Sequence, residues 1–286
     1  MIRFAGGHVA VVVLALAALH PFPIYVLTLA DAAARQRRLA SWVRSCGLSP
    51  SFIEGVDLRS PTAQFQAPPG GRAQRWQRYG RADLSAPEYG CLLGHHRIWA
   101  QILAAGHPWA LVLEDDATPV VPEWLEQLEE LVGCLQGSSL WRSPWVVHLS
   151  LVPGEFGEIC LKPVAWRHGM HGVLAVGQVD PSIRKVWTTL AYLISREAAA
   201  RLLAAERNLP WMADDWTMRQ RSGALPYLLA AWKPVFGGYN DFPTQIEQRV
   251  GFPPKPLWYK IWFRLVWPFK AFKRLAYNKG WFAVRY

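Results

Sequence analysis

At 286 residues, with 51% apolar content, the chain has room for one large α/β domain or two small ones and is too apolar to stay unfolded. Its four cysteines, Cys46, Cys91, Cys134 and Cys160, show neither CxxC spacing nor the density of a disulfide scaffold, which points to a reducing compartment. The net charge of +10 is unevenly placed: residues 253–286 hold eight Lys or Arg and no Asp or Glu, leaving +2 for all that precedes them.

Val9 to Leu19 is apolar and follows Arg3, like a signal peptide, but Pro21 and Pro23 come next without a small-residue cleavage site. The run is shorter than the about 20 residues a bilayer span needs. If it inserts, Arg35, Arg37 and Arg38 hold the following domain on the cytoplasmic side. Ile24 to Leu29 reads as a buried strand and Asp31 to Cys46 as a helix closed by Gly47. A strand near Phe52 to Val56 completes a βαβ start and predicts a mostly parallel sheet flanked by helices.

Arg59 to Ser85 is rich in Gly and Pro and predicts a long loop. A helix from Pro87 to Ala105 leads to a strand ending at Glu114, and another helix starts near Pro122. Trp145 to Leu149 is a strand, Val152 to Arg184 reads as irregular, and Thr189 to Ile194 is a strand feeding a helix near Ser195. The tail then interleaves Trp, Phe and Tyr with Lys and Arg, predicting basic amphipathic helices broken at Pro268. Nucleic acid is the rival partner for such a segment, but Leu257, Ile261, Leu265 and Val266 add an aliphatic face that bases do not need; an anionic membrane surface fits better than nucleic acid. The remaining reading is an ordinary helix packed on its own domain.

The stretch WALVLEDDAT, Trp109 to Thr118, is an apolar run ending on three carboxylates. A buried parallel strand opening into a crevice has this form, and sheets of this kind place ligands at such ends. Side chains alternate along a strand, so Glu114 and Asp116 share one side and Asp115 takes the other. Two same-side carboxylates suit a hard divalent cation, Mn²⁺ or Mg²⁺, bridging to a diphosphate; Asp116 and Glu114 are the candidate metal ligands. The plainer alternative is an acidic turn before the next helix. A second acidic cluster, Asp214 and Asp215, opens a later helix and offers a base for an incoming hydroxyl, with Asp215 preferred, Asp214 the alternative or merely a helix cap, and Glu88 an outside candidate. His95 and His96 are adjacent on a helix and face different ways. His148, His168 and His171 are weaker candidates to complete a metal shell, Trp76, Tyr79, Trp187 and Trp211 could stack on sugar rings, and Cys91 reads as packing.

The order LSAPEYGCLLGHH (Leu84 to His96), VLEDD, AYLIS (Ala191 to Ser195) and PWMADDW (Pro210 to Trp216) resembles the lipopolysaccharide-type glycosyltransferases of family 25, over about Pro23 to Phe236. The resemblance implies an inverting, GT-A-like α/β fold that moves a hexose, typically galactose from UDP-galactose, onto a lipooligosaccharide or lipopolysaccharide core. It places Glu114, Asp115 and Asp116 on the family's acidic metal and nucleotide-sugar motif. Glu88, Gly90, Cys91 and His95 fall on its E-x-G-C-x-x-S-H element, with Gly94 where the family has Ser. Thr28 and Arg35 stand at the first-strand Asn and the following Arg, so that the donor-binding set is Thr28, Arg35, His95, Glu114 and Asp115.

The expectation is therefore a bacterial UDP-sugar-dependent hexosyltransferase acting on a lipid-linked saccharide, peripheral on the cytoplasmic face of the inner membrane. Its parts are an apolar extension (1–22), a catalytic domain (23–252) and a membrane-associating tail (253–286). The rivals are a metal-dependent nucleotidyl or phosphoryl transferase, and a degenerate carbohydrate-binding or scaffold member of the family.

Overall fold

The computed structural model describes residues 23–58, 86–150, 159–169, 172–179, 186–206, 211–231, 234–238 and 282–284. The expected loop at 59–85, the apolar head and all of the tail except residues 282–284 lie outside the described residues. In chain order the elements are β1 (Ile24–Thr28), α1 (Ala33–Ser45), β2 (Ser51–Glu54), α2 (Ala86–Ala105), β3 (Trp109–Glu114), β4 (Ala117–Pro119), α3 (Trp124–Gln136) and β5 (Trp145–His148). They continue with β6 (Ile159–Gly169), β7 (Gly172–Val179), β8 (Ala191–Ser195), α4 (Arg196–Glu206), α5 (Trp216–Arg221), β9 (Tyr227–Ala231), β10 (Phe236–Gly238) and β11 (Phe282–Val284).

Nine strands form one sheet in the order β11-β6-β7-β9-β5-β8-β3-β1-β2, and β4 and β10 make a separate two-stranded ribbon. The α/β class and the βαβ start are as expected, since β1 lies parallel to both β2 and β3. The strand directions are mixed rather than mostly parallel: β8 enters antiparallel between β3 and β5, and β7 is antiparallel to β9. A second correction concerns Val152 to Arg184, read as irregular, which contains the antiparallel pair β6 and β7. Its Gly and His residues hid the alternation that marks a strand. At the far end, Phe282 to Val284 pairs with β6 as a strand, where the sequence suggested helix.

Alternation along the central strands divides the apolar residues between two cores. Tyr25, Leu27, Ala110, Val112 and Tyr192 face a layer containing Ile98, Trp99 and Ile102 of α2 and Ala198 and Leu202 of α4. Ile24, Val26, Leu111, Leu113 and Leu193 face Leu39 and Val43 of α1 and Leu128, Leu131 and Leu135 of α3. Each helix repeats its apolar residues at three- and four-residue intervals, which is why it can cover a sheet face. Gly47, at φ 74°, closes α1 by donating its N–H to the Arg44 carbonyl, the left-handed stop that glycine permits.

α2 lies almost in contact with the β1–β2 end of the sheet. A Cβ at Gly90 would stand 2.3 Å from the Val56 carbonyl oxygen, so only glycine allows this approach. At Gly94 a Cβ would meet Leu27 Cδ1 at 2.5 Å. The position where the family has Ser therefore packs on the β1 side chain, and a serine there would require Leu27 to move. On the other side of α2, Arg219 of α5 donates from Nε to Glu206 Oε1 at 2.6 Å, and His96 Nε2 lies 3.0 Å from Glu206 Oε2. Arg219 also sits 4.9 Å from the Trp216 ring centroid and 5.6 Å from that of Trp99, tying α2, α4 and α5 together.

Candidate active site at the carboxyl edge of the sheet

β1, β2, β3, β5 and β9 run in one direction, so their carboxyl ends share an edge, and the start of the antiparallel β8 reaches the same edge. The acidic segment emerges there. Glu114 follows the parity of Ala110 and Val112 and heads for the α2 side, whereas Asp115 follows Leu111 and Leu113 to the α1 side, the division that alternation predicts.

On the α1 side, Asp115 is buried and accepts hydrogen bonds from Thr28 Oγ1 at 2.8 Å and Arg35 Nη1 at 3.1 Å. Gln36 Nε2 donates to Thr28 Oγ1 at 3.2 Å and to the Leu29 carbonyl at 3.1 Å. Burial raises the Asp115 carboxyl above its ordinary range even though Thr28 and Arg35 both favour its charged form. Thr28, Arg35 and Asp115, grouped from the sequence as donor-binding, are thus brought together, with Thr28 and Arg35 both donating to Asp115. The hydroxyl of Thr28 does hydrogen-bonding work at the place where the family carries an amide.

On the α2 side, Thr189 Oγ1 donates a short hydrogen bond to Glu114 Oε1, and His95 Nε2 points at the same oxygen from 3.7 Å. That separation exceeds hydrogen-bond reach, and the buried Nε2 has no hydrogen-bond partner. The other ring nitrogen, Nδ1, lies 2.9 Å from the Tyr192 hydroxyl, which accepts from Trp99 Nε1 at 3.0 Å. Burial pushes His95 below its ordinary pKa, with Glu114 opposing. Cys91 stands one helical turn before His95; burial, followed by the charges of Glu114 and Asp214, raises its thiol well above the usual range. A ligand atom from each of Cys91, His95 and Glu114 falls within 4.8 Å of the others.

Asp116 is partly exposed, yet its Oδ1 is buried without a hydrogen-bond partner. Burial and the nearby charge of Glu114 push its carboxyl up to about 7. A divalent cation beside Glu114 and Asp116 would relieve both the orphaned oxygen and the crowded charge, so these two carboxylates are chemically suited to one. Asp116 does not belong to the close group of metal-ligand atoms that the described residues form.

The carboxylates of the second acidic cluster have different surroundings from those expected. Asp215 is fully buried and caps α5, its Oδ1 accepting from the Met218 N–H at 3.0 Å, so the capping role offered for Asp214 falls to its neighbour. Burial raises Asp215 to about 6. Asp214 is partly exposed, and its charge reaches Cys91. Glu88 lies in the first turn of α2 and is partly exposed.

A strap from Val186 to Leu190 closes the edge. Thr188 has φ 80°, a left-handed conformation that is unfavourable for a β-branched residue. Its carbonyl accepts from Trp216 Nε1 at 2.8 Å and from His148 Nε2 at 3.2 Å, and His148 Nε2 also reaches the Trp187 carbonyl at 3.0 Å. Val186 N–H donates to Thr217 Oγ1 at 2.6 Å. His148, considered from the sequence as a metal ligand, is instead buried as a clamp on this strap, and burial lowers its pKa to about 4. His168 lies on β6, whereas His171, Trp76 and Tyr79 fall outside the described residues. Trp211 is buried and Trp187 is partly exposed at the strap.

Sequence reasoning missed Cys91 as a partner of His95, along with Thr189, Tyr192 and the strained Thr188. The four-residue spacing of Cys91 and His95 was a visible signal; the approach of Glu114 from β3 and Tyr192 from β8 was not.

Residues 22–132 match glycosyltransferase family 25 (LPS biosynthesis protein). The expected resemblance is borne out over these residues, from β1 into α3. The chain is 25% identical over 196 residues to a rat (Rattus norvegicus) protein named "Probable inactive glycosyltransferase 25 family member 3", covering 64% of this chain and 30% of that protein. A mouse (Mus musculus) protein named "Inactive glycosyltransferase 25 family member 3" is 25% identical over 186 residues, 64% of this chain and 29% of that protein. The chain thus spans about 30% of the length of the curated relatives it matches. Among solved structures it is similar to a glycosyltransferase involved in the glycosylation of the major capsid of PBCV-1, at 9% identity and a TM-score of 0.34, over 78% of this chain and 95% of that one.

Proposed function

We propose that this protein is a metal-dependent hexosyltransferase that takes a sugar, galactose in the first instance, from a UDP-sugar and delivers it to a lipid-linked saccharide of the lipopolysaccharide or lipooligosaccharide type. The observation that supports the reading is the acidic segment Glu114–Asp116 at the carboxyl edge, within the family-matched stretch, with Asp115 held by Thr28 and Arg35 and the carboxyl of Asp116 raised by burial and by the charge of Glu114.

In an inverting transfer the acceptor oxygen forms a bond to the anomeric carbon as the bond to the diphosphate breaks, and the acceptor hydroxyl loses its proton. Asp214 is the better candidate base, because it is partly exposed and its charge reaches Cys91, whereas Asp215 is buried and spends one oxygen on the α5 N-terminus. Asp115, fixed by Thr28 and Arg35, sets the shape of the donor side. Glu114 and Asp116 would hold a divalent cation, which when bound neutralises charge developing on the departing diphosphate. Thr189 and the clamped strap hold Glu114 in place. The basic, aromatic tail supports docking on an anionic membrane at the cytoplasmic face, where a lipid-linked acceptor lies.

A second reading is donor binding without transfer, favoured by the word "inactive" in the names of the mammalian relatives. UDP release from UDP-galactose, with and without Mn²⁺, separates the two. Slow metal-dependent release of UDP is expected, and donor binding without any release establishes the second reading. Release of galactose 1-phosphate instead, by attack at the uridyl phosphorus, would show a nucleotidyl transferase.

A further inference from the structure

We propose that Cys91, His95 and Glu114 form a binding site for a borderline-soft divalent cation, with Zn²⁺ the best chemical fit. The site shares Glu114 with the hard-metal position proposed at Glu114 and Asp116 but takes its other two ligands from α2. Cys91 and His95 are four residues apart on α2 and so stand on one face of the helix, and Glu114 arrives from the end of β3. Their ligand atoms lie within 4.8 Å of one another. His95 Nε2 supplies the independent sign: it belongs to a fully buried side chain, has no hydrogen-bond partner, and points at Glu114 Oε1 from 3.7 Å, a few tenths of an ångström beyond the about 3.3 Å that separates a nitrogen and an oxygen ligand on a tetrahedral ion.

The surroundings match what a metal-bound imidazole requires. A ligating histidine ordinarily anchors its second nitrogen on a neighbouring acceptor, and His95 Nδ1 lies 2.9 Å from Tyr192 Oη, itself held by Trp99 Nε1. In the bound form Nδ1 donates to Tyr192 and Nε2 faces the ion. Cys91 and Glu114 are partly exposed while His95 is not, which gives the cation a way in past the first two. A sulfur, nitrogen and oxygen set disfavours Mg²⁺ and suits Zn²⁺ or Co²⁺. Three protein ligands leave a fourth position open, the arrangement of a site that takes up water or a substrate oxygen. The proposal does not depend on the transferase reading, because uptake of the ion needs no sugar donor.

The test uses the full chain, stripped with a chelator and titrated with Co²⁺ under anaerobic conditions. One Co²⁺ per chain with a thiolate-to-metal charge-transfer band in the near ultraviolet, displaced by Zn²⁺, is expected. Cys91→Ser should abolish the band and weaken Zn²⁺ binding, while Cys46→Ser, Cys134→Ser and Asp116→Asn should leave the band unchanged. If Cys91→Ser fails to fold, Tyr192→Phe decides: it should keep the band yet bind Zn²⁺ about 10–100-fold more weakly, the usual effect of losing a ligand's supporting partner. Absence of the band from the wild type, its persistence in a folded Cys91→Ser protein, its loss in Asp116→Asn, or unchanged Zn²⁺ affinity in Tyr192→Phe would overturn the assignment.

Discussion

Asp115 and Asp116 are adjacent in sequence but differ in bonding. Asp115 is held by Thr28 and Arg35, so Arg35→Ala should cost about 1.5–3 kcal/mol, the range for hydrogen bonds to charged groups, measured by denaturant unfolding. Asp116 has an orphaned Oδ1 and a carboxyl raised to about 7 by burial and by Glu114. Between an unfolded value near 3.8 and the folded value near 7, the folded state binds the extra proton. That stabilising contribution is complete at the acid end of the window and is lost as pH rises through about 7. The stability of chelator-treated wild type minus that of Asp116→Asn should therefore fall with pH across this window, and a flat difference would contradict the assigned environment. If Asp116 holds a catalytic metal, the same substitution should also remove Mn²⁺-dependent UDP release.

At the scale of elements, the strap before β8 combines a strained residue with three clamps. Thr188→Gly removes about 1–2 kcal/mol of left-handed strain against about 0.5–1 kcal/mol of added chain entropy, so thermal stability should hold level or rise slightly. Turnover should fall, because a looser strap no longer presents Thr189 to Glu114; a variant with undiminished UDP release would show that the strain serves no catalytic purpose. His148 and Trp216 reach this strap from β5 and α5, so its conformation depends on two elements far apart in the chain.

At the scale of the whole molecule, the buried Glu206 joins three helices by accepting from Arg219 and pairing with His96. Arg219 and His96 hold the Glu206 carboxyl below its ordinary value despite the opposing effect of burial. This contribution is fully present above about 4.5 and is lost as pH falls below it. Glu206→Gln leaves Arg219 buried without its counter-charge and should cost about 3–5 kcal/mol near neutrality, with the difference from wild type shrinking in acid. A small, pH-independent loss would show that the ion network contributes little.

Local order and alternation were legible in the sequence. The runs IYVLT, WALVLE and AYLIS are apolar without interruption because their strands are covered on both faces, and this identified β1, β3 and β8. The placement of Glu114 and Asp115 on opposite sides followed from strand geometry alone, and the ordered motifs pointed to the family matched by residues 22–132. Tertiary structure decided which residues meet across the chain. Strand direction was hidden, because an apolar strand reads the same whether its neighbour is parallel or antiparallel, and β8 takes the antiparallel course. Asp214 and Asp215 look alike in sequence, and only the packing of α5 makes one a buried cap and leaves the other partly exposed. Cys91 and His95 announced a shared helix face, but their meeting with Glu114 and Tyr192 depends on α2 lying across β3 and β8, a long-range contact that no local pattern encodes.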